Sequence, residues 1–409
     1  MTITESLESN VRFYSREFPA TFSKAKGCYL YAGDKRYLDF FAGAGAVNYG
    51  HNNDVIKQKL IEYIQNDGIV QSLDMDTVVT EKFLRSFSDV ILRPRALDYK
   101  IMFPGPTGTN AIEAALKLAK KVTGRTGIVA FSGSFHGMTA GSMAVSYSRR
   151  AQLRGASFDV IFAPYYPDPV SSLKDILSGR SESERPAAAV LETVQAEGGV
   201  IAPDAEWLRS LATLCKENGV LLICDDVQVG CGRTGNFFSF ERAGITPDIV
   251  ALSKSVGGYG LPLSLLLFKS EYDVWTPGEH NGTFRASQLS LVAATAALDY
   301  YKTGDLMEKV RENGAFIERF FKERIAPIDK RILHRGIGLI HGIDFSAVGE
   351  DVAKKVREEC FLRGLIIETC GKGGNVLKIL PPLVIEREEL ISGLSIIADA
   401  TEKALKDSL

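Results

Sequence analysis

GVLLICDDVQVGCGRTGNFFSFERAGITPDIVALSKSVGG (219–258) contains two apolar runs that each end in charge. The first, 220–224, stops at Asp225 and Asp226, and the second, 249–252, stops at a lysine between serines, Ser253-Lys254-Ser255. Near-continuous Val/Ile/Leu runs mark strands covered on both faces of a parallel sheet, and ligands gather at the carboxyl ends of such strands. The stretch therefore predicts two buried strands delivering an acid, Asp225, and an amine, Lys254, to the same rim. Either feature alone reads as a helix cap or a solvated lysine. Together, 29 residues apart with GCGRTG between them, they suit pyridoxal 5'-phosphate. A lysine forms the Schiff base with that cofactor, and a carboxylate keeps its pyridine nitrogen protonated so that the ring draws electrons.

The bulk composition leaves room for this chemistry and removes others. A chain of 409 residues exceeds the ~150 of one average domain, so two domains are expected. A net charge of −2 gives no electrostatic ground for binding nucleic acid or an anionic membrane. The opening MTITESLESNVRFYS lacks the apolar core of a signal peptide, and the longest apolar run, 261–268, is broken by Pro262 and Ser264. That is far below the ~18 residues of a membrane span. Six scattered cysteines, at 28, 215, 224, 231, 360 and 370, form no CxxC pair, which favours reduced thiols in a cytoplasmic protein over disulfides or a metal site.

Outward from the central stretch, GCYLYAGDKRYLDF (27–40) alternates about Gly33-Asp34 as a hairpin does, and the glycines of FFAGAGAVNYGHNN (40–53) suggest either close backbone packing or a plain loop. From about 54 to 301 strand, turn and helix alternate, the pattern of a doubly wound α/β domain. FPGPTGTNAIEAALKLAKK (103–121) predicts a helix starting near Thr109 or Asn110, with Asn110 and Glu113 as a capping box. The free N–H groups of such a start, with the hydroxyls of Thr107 and Thr109, make an anion site, or simply a well-capped helix. In GIVAFSGSFHGMT (127–139), Phe135 at a strand end is placed to stack on a flat ring, although a Phe135-His136 pair is more often core packing. AAAVLETVQAEGG (187–199) ends in Glu192 and Glu197, paired acids for proton transfer or ordinary loop carboxylates. Gln228, three residues beyond Asp225, is in reach of a ring oxygen. GEHNGTFRASQLS (278–290) is a polar loop carrying Thr283 and Arg285. Further on, an amphipathic helix (304–325), strands in HRGIGLIHGIDF (334–345) and GLIIETC (364–370), and a helix with Leu390, Leu394, Ile397 and Leu405 on one face describe a smaller α/β domain.

These segments carry a likeness. GDKRYLDFFAGAGAVNYGHNN, GPTGTNAIEAALKLA, SFHGMT, ETVQAEGG, CDDVQVGCGRTG, PDIVALSKS and HNGTF, in this order, resemble the class III (ω-amino acid) aminotransferases over essentially the whole chain. The resemblance implies fold type I of the pyridoxal-phosphate enzymes. It has a large, mostly parallel doubly wound domain (56–303) and a small domain (304–409) joined by an N-terminal arm and strands (1–55). It implies Lys254 as Schiff-base lysine and proton shuttle, Asp225 at the pyridine nitrogen and Gln228 near the ring hydroxyl. It puts Thr107, Gly108 and Thr109 at the phosphate, Phe135 and His136 at the ring, and Thr283 at the phosphate of the other subunit in a homodimer, or a dimer of dimers. Within the class the likeness is to enzymes that move the amino group of L-glutamate to the terminal carbonyl of L-aspartate 4-semialdehyde, giving L-2,4-diaminobutyrate and 2-oxoglutarate in two ping-pong halves. Another diamine or ω-amino acid, ornithine- or GABA-like, and a same-fold aminomutase or decarboxylase are the alternatives.

Two departures bear on substrate. Many class III members carry an arginine before the final PPL-type segment to grip the α-carboxylate of glutamate, with a glutamate screening it when an ω-amine binds. Glu197 matches that glutamate, but in NVLKILPPL (375–383) the arginine's place holds Lys378, which lacks the planar two-pronged fork. Lys378 or Arg285 is then the expected carboxylate anchor, with Glu192 a further candidate at the substrate. Ala286-Ser287 stands where ectoine-type members carry Gly-Asn, a mark of altered substrate length.

Overall fold

The computed structural model describes residues 3–153 and 158–406. After two short helices, Ile3–Leu7 and Tyr14–Glu17, come three short strands: β1 (Lys24–Lys26), β2 (Tyr29–Ala32) and β3 (Lys35–Asp39). Seven follow: β4 (Tyr99–Met102), β5 (Ile128–Phe131), β6 (Val160–Ala163), β7 (Ala188–Leu191), β8 (Leu221–Asp225), β9 (Ile249–Leu252) and β10 (Leu265–Lys269). The last five are β11 (Leu333–Ile337), β12 (Ile340–Asp344), β13 (Leu365–Ile366), β14 (Glu368–Cys370) and β15 (Val376–Ile379).

The central sheet runs β4-β10-β9-β8-β7-β5-β6. The pairs from β9 through β6 are parallel, and β10 is antiparallel to both of its neighbours. Every residue of β5, β7, β8 and β9 is buried, as their unbroken apolar runs require for a sheet covered on both faces. The helix Gly108–Thr123 supplies part of that cover through a stripe of small residues and leucines, including Ala111, Ala115 and Leu118, and stops at Gly124, whose φ of +68° ends the helical turn. Asp225 lies opposite Ala251 in the β8/β9 ladder, so Lys254 leaves the neighbouring strand on the same edge of the sheet.

The termini build two smaller sheets. Ala32 faces Lys35 across the two-residue turn Gly33-Asp34, giving the predicted hairpin. The run GLIIETC behaves differently from the single strand expected: it divides at Ile367. Its first half, β13, pairs in parallel with β3, and its second half, β14, pairs with β15 in the sheet β11-β12-β15-β14. One apolar run thus serves two sheets, which periodicity alone does not reveal. The final helix, Arg387–Lys406, buries Leu390, Leu394 and Ile397 and then Thr401 and Ala404, leaving Leu405 half-buried at the edge of the stripe.

Arg233, from the GCGRTG turn, is fully buried and joins these parts. Its guanidinium donates to the carbonyls of Leu339 (2.9 Å) and Pro381 (2.5 Å) and to Asn48 Oδ1 (2.5 Å). Burial pushes its pKa down to about 9. The six cysteines are buried and free, and no helix among the described residues is long and apolar enough to cross a membrane.

Candidate active site

The carboxyl edge of the central sheet opens into a cavity of about 320 Å³. Its walls include Thr107, Gly108, Thr109, Phe135, His136, Glu192, Glu197, Asp225, Gln228 and Lys254, so ten of the thirteen candidates drawn from the sequence meet in one place.

Lys254 follows β9 with φ at +55°, a left-handed conformation that costs a non-glycine residue roughly 1–2 kcal/mol. Such strain persists where the surroundings hold it, and it directs this side chain into the cavity. Burial lowers the pKa of Lys254; the charge of Glu197 opposes that shift, Lys378 adds to it, and the net is downward.

Asp225 and Asp226 diverge, as successive strand residues do. Asp225 lines the cavity, and its Oδ2 lies 2.6 Å from Nδ1 of the buried His136. Asp226 turns away to accept the Ser239 N–H at 3.0 Å, and burial raises it to about 7. Burial works against a charged His136, but the hydrogen bond and charge of Asp225 outweigh it and the net shift is upward. Nε2 of His136 has no hydrogen-bond partner among the described residues. Glu192 is also buried and raised to about 7, chiefly by desolvation. Its two oxygens accept from the N–H groups of Phe135 (3.0 Å) and Ala196 (3.1 Å), so it fastens the Phe135 segment to the Glu197 loop while facing the cavity.

The helix start differs from its expected cap. The N-cap is Thr107, and Asn110 Oδ1 accepts from both the N–H (3.2 Å) and the Oγ1 (2.7 Å) of Thr107. Glu113 instead reaches across to the next helix, Ala140–Ala144, accepting from Thr139 Oγ1 (2.6 Å) and the N–H groups of Gly141 (2.8 Å) and Ser142 (3.1 Å). Thr109 Oγ1 meets Thr139 and Ser142, each at 2.6 Å. A Cβ on Gly108 would stand 2.8 Å from Val227 Cγ1, and one on Gly137 would stand 2.5 Å from Thr109 Oγ1. Only glycines keep backbone this close to the helix start, where free N–H groups and the positive dipole end attract an anion.

Gln228 and Glu197 lead to a buried cluster. Lys378 Nζ, fully buried, lies 2.5 Å from Glu197 Oε1, 2.9 Å from Glu368 Oε1 and 3.1 Å from Gln228 Oε1. Gln228 Nε2 donates to Glu197 at 3.3 Å. Burial would discharge Lys378, yet its two carboxylates hold its pKa well above the ordinary value. Burial also pushes Glu197 up, but the charge and hydrogen bond of Lys378 dominate and the net is downward. Glu368 is raised by burial more than Lys378 lowers it.

Three candidates lie elsewhere. Lys378 stands behind Glu197, outside the cavity wall; Arg285 pairs with Asp74 at 3.7 Å; and Thr283 is exposed on its loop. Ala286, where a glycine was expected, is buried with φ at +49°, the backbone region glycine favours. Glu368, Tyr14, Val227 and Ser253 were not singled out from the sequence. Val227 had a signal in being the apolar residue between Asp225 and Gln228, and Glu368 in being a lone acid inside an apolar strand.

The set suits pyridoxal 5'-phosphate: an amine and an acid on one rim, an aromatic wall at Phe135, a buried His136 with an unpartnered nitrogen, and a glycine-lined helix start. Comparison with known proteins agrees. Residues 13–401 match the profile of the family described as aminotransferase class-III. The diaminobutyrate–2-oxoglutarate transaminase of Sporosarcina pasteurii is 49% identical over 99% of this chain and 98% of its own. That of Halalkalibacterium halodurans is 50% identical over 100% and 97%, and that of Nocardia farcinica 50% over 98% and 94%. Among solved structures, an ornithine aminotransferase from Toxoplasma gondii superposes with a TM-score of 0.87 at 23% identity, covering 99% of this chain and 94% of that one. An acetylornithine aminotransferase from Elizabethkingia anophelis gives 0.79 at 25% identity, covering 98% and 97%. With its fold, its cavity and nearly its whole length accounted for in this way, the chain belongs to the class III aminotransferases.

Proposed function

We propose that the protein transfers the terminal amino group between L-2,4-diaminobutyrate and 2-oxoglutarate, with L-aspartate 4-semialdehyde and L-glutamate as the other pair. The observation that carries the reading is the likeness, at about half identity over nearly the full length, to transaminases of that specificity. The cavity supplies the means.

When bound, pyridoxal 5'-phosphate supplies a carbonyl carbon that takes up the amine and a ring that withdraws electrons from it. The protein's residues do the rest. Lys254, its pKa lowered by burial, is disposed to give up its proton and act as a nucleophile, and would then carry a proton between the amine-bearing carbon of the substrate and the cofactor's carbonyl carbon. Asp225, positioned by His136, holds a proton at a ring nitrogen. Thr107, Gly108 and Thr109 offer the phosphate a helix start. Phe135 and Val227 wall the cavity against water, and Glu197 screens Lys378 from the substrate.

The same reading has two active sites in a homodimer. Ile69, Val70, Leu73, Met75, Val78 and Phe284 are exposed apolar residues, from 45% to 83% accessible, on segments flanking the Thr283 loop. Such exposure supports association with a second copy, which would bring Thr283 to its partner's phosphate. Residues 1–55 and 304–409 act as the smaller domain around 56–303, and six buried free thiols suit the reducing cytoplasm. Sedimentation of the holoenzyme is expected to give a dimer; a stable active monomer rejects the shared site.

The substrate is tested by mixing the yellow holoenzyme separately with L-2,4-diaminobutyrate, L-glutamate, L-ornithine and GABA and following loss of colour. Rapid bleaching by the first two and slow bleaching by the others is expected. Preference for ornithine or GABA, or no response to glutamate, overturns the assignment.

A further inference from the structure

Glu368 and Lys378 face each other directly across the β14/β15 ladder, so their side chains share one face of that sheet. Lys378 Nζ lies between two carboxylates: Glu197, which lines the cavity, and Glu368, which is 5% exposed and lies behind it. Tyr14, from the N-terminal arm, closes the far side, its hydroxyl 3.5 Å from Glu368 Oε2. Consider a site with one cation and one screening acid. A substrate carboxylate that displaces the acid meets a full positive charge. Here the displaced Glu197 leaves behind a Lys378 already neutralised by Glu368. With Glu197 in place, the cluster holds two acids against one ammonium, and its charges act on Lys254.

We propose that Glu368 is a positioning residue that sets substrate preference: by occupying Lys378 from behind, it leaves the cavity acidic toward a second ammonium group and weak toward a second carboxylate. The substrate class favoured at the reacting amine is therefore a diamino acid whose distal ammonium faces Glu197. A dicarboxylate such as glutamate or 2-oxoglutarate binds less tightly than it would opposite an unshared cation. This inference rests on the function proposed above and adds a residue and a charge rule to it.

The test compares wild-type holoenzyme with Glu368→Gln, which keeps the shape and hydrogen-bonding capacity and removes the charge. One measurement is the affinity for glutarate, an unreactive dicarboxylate, by calorimetry. Another is the KM and kcat for L-2,4-diaminobutyrate. Removing one unit charge roughly 10–12 Å from the ligand changes affinity by about tenfold at an effective dielectric near 20. Glutarate is expected to bind about tenfold more tightly and the diaminobutyrate KM to rise about tenfold, with kcat changed less than KM. Weakening of both ligands together, as structural damage produces, overturns the proposal, and so does no change in either. If Glu368→Gln does not accumulate as folded protein, wild-type enzyme decides. L-2,4-diaminobutyrate must then show a lower KM than GABA, which lacks only the second ammonium, and equal values overturn the proposal. The glutarate measurement needs no turnover. A wild type inactive on diaminobutyrate therefore rejects the proposed reaction, whereas glutarate affinity unmoved by Glu368→Gln rejects the charge rule.

Discussion

Replacing Lys378 by methionine should destabilise the protein in a way that depends on pH. The ammonium contacts Glu197 Oε1 at 2.5 Å and Glu368 Oε1 at 2.9 Å in a buried setting. Methionine fills similar volume but leaves two acids facing each other about 5 Å apart. Two unit charges at that separation repel by about 3 kcal/mol at an effective dielectric of 20. Glu197 is 31% exposed on the cavity side, and solvent screening reduces this to about 2 kcal/mol. Loss of the ammonium's favourable contacts brings the expected total to about 2–4 kcal/mol, in line with removing one member of a buried ion pair. In the variant, the folded-state pKa of Glu368, already raised, rises further. Between the unfolded value near ~4.3 and that raised value the folded protein binds more protons than the unfolded chain, so stability falls as pH climbs through this window. The deficit is full above the window and fades below it. Thermal melts of both proteins as holoenzymes at about pH 8 and about pH 5 should show a larger Tm difference at the higher pH. The drop at the higher pH is expected to be roughly 2–6 °C. A deficit equal at both pH values, or none at about pH 8, would refute the electrostatic reasoning.

Three further expectations follow from other sites. Asp225→Asn removes the anion 2.6 Å from His136 Nδ1 and should lower kcat by about 100-fold or more while the protein stays folded; near-normal turnover would contradict its role. Ala286→Gly relieves a buried alanine at φ +49° and should stabilise the fold by up to about 1 kcal/mol, read as a higher Tm, whereas a lower Tm would show that the methyl's packing matters more. His334 and His341 stack at 5.1 Å, with Nε2 of His334 donating to Nδ1 of His341 (3.0 Å) and Nε2 of His341 donating to the Gly338 carbonyl (2.8 Å). Burial depresses them to about 4 and about 3, so the unfolded chain takes up protons first and stability is lost as pH falls below ~6.5. His341→Leu should flatten that loss by about 1 kcal/mol per pH unit, and an unchanged acid limb in melts across pH would count against it.

What the sequence disclosed and what it withheld divide along physical lines. Asp225 and Lys254 were legible because each closes an unbroken apolar run, and parallel neighbours end on one edge. A helix start was legible here, but it was read near Thr109 or Asn110, whereas the N-cap is Thr107. Several residues near it satisfy the capping pattern, and Glu113 found a better use at the next helix. GLIIETC read as one strand because burial pattern says nothing about which sheet receives each half. Glu368 stayed hidden for the same reason: a lone acid in an apolar run must have a partner, but only the β14/β15 register names Lys378. Lys378 was recognised as a departure, but its contact with a second carboxylate, Glu368, was not. Thr283 and Arg285 sit outside the cavity of a single chain.

The most direct test of the central claim follows a nitrogen atom. L-2,4-diaminobutyrate labelled with ¹⁵N at its terminal amine is incubated with holoenzyme and 2-oxoglutarate, and the products are separated. Transfer of the terminal amino group, with Lys254 moving only the proton, predicts labelled glutamate. Label retained in the diamino acid, or glutamate labelled only when the α-amine carries the ¹⁵N, would contradict it.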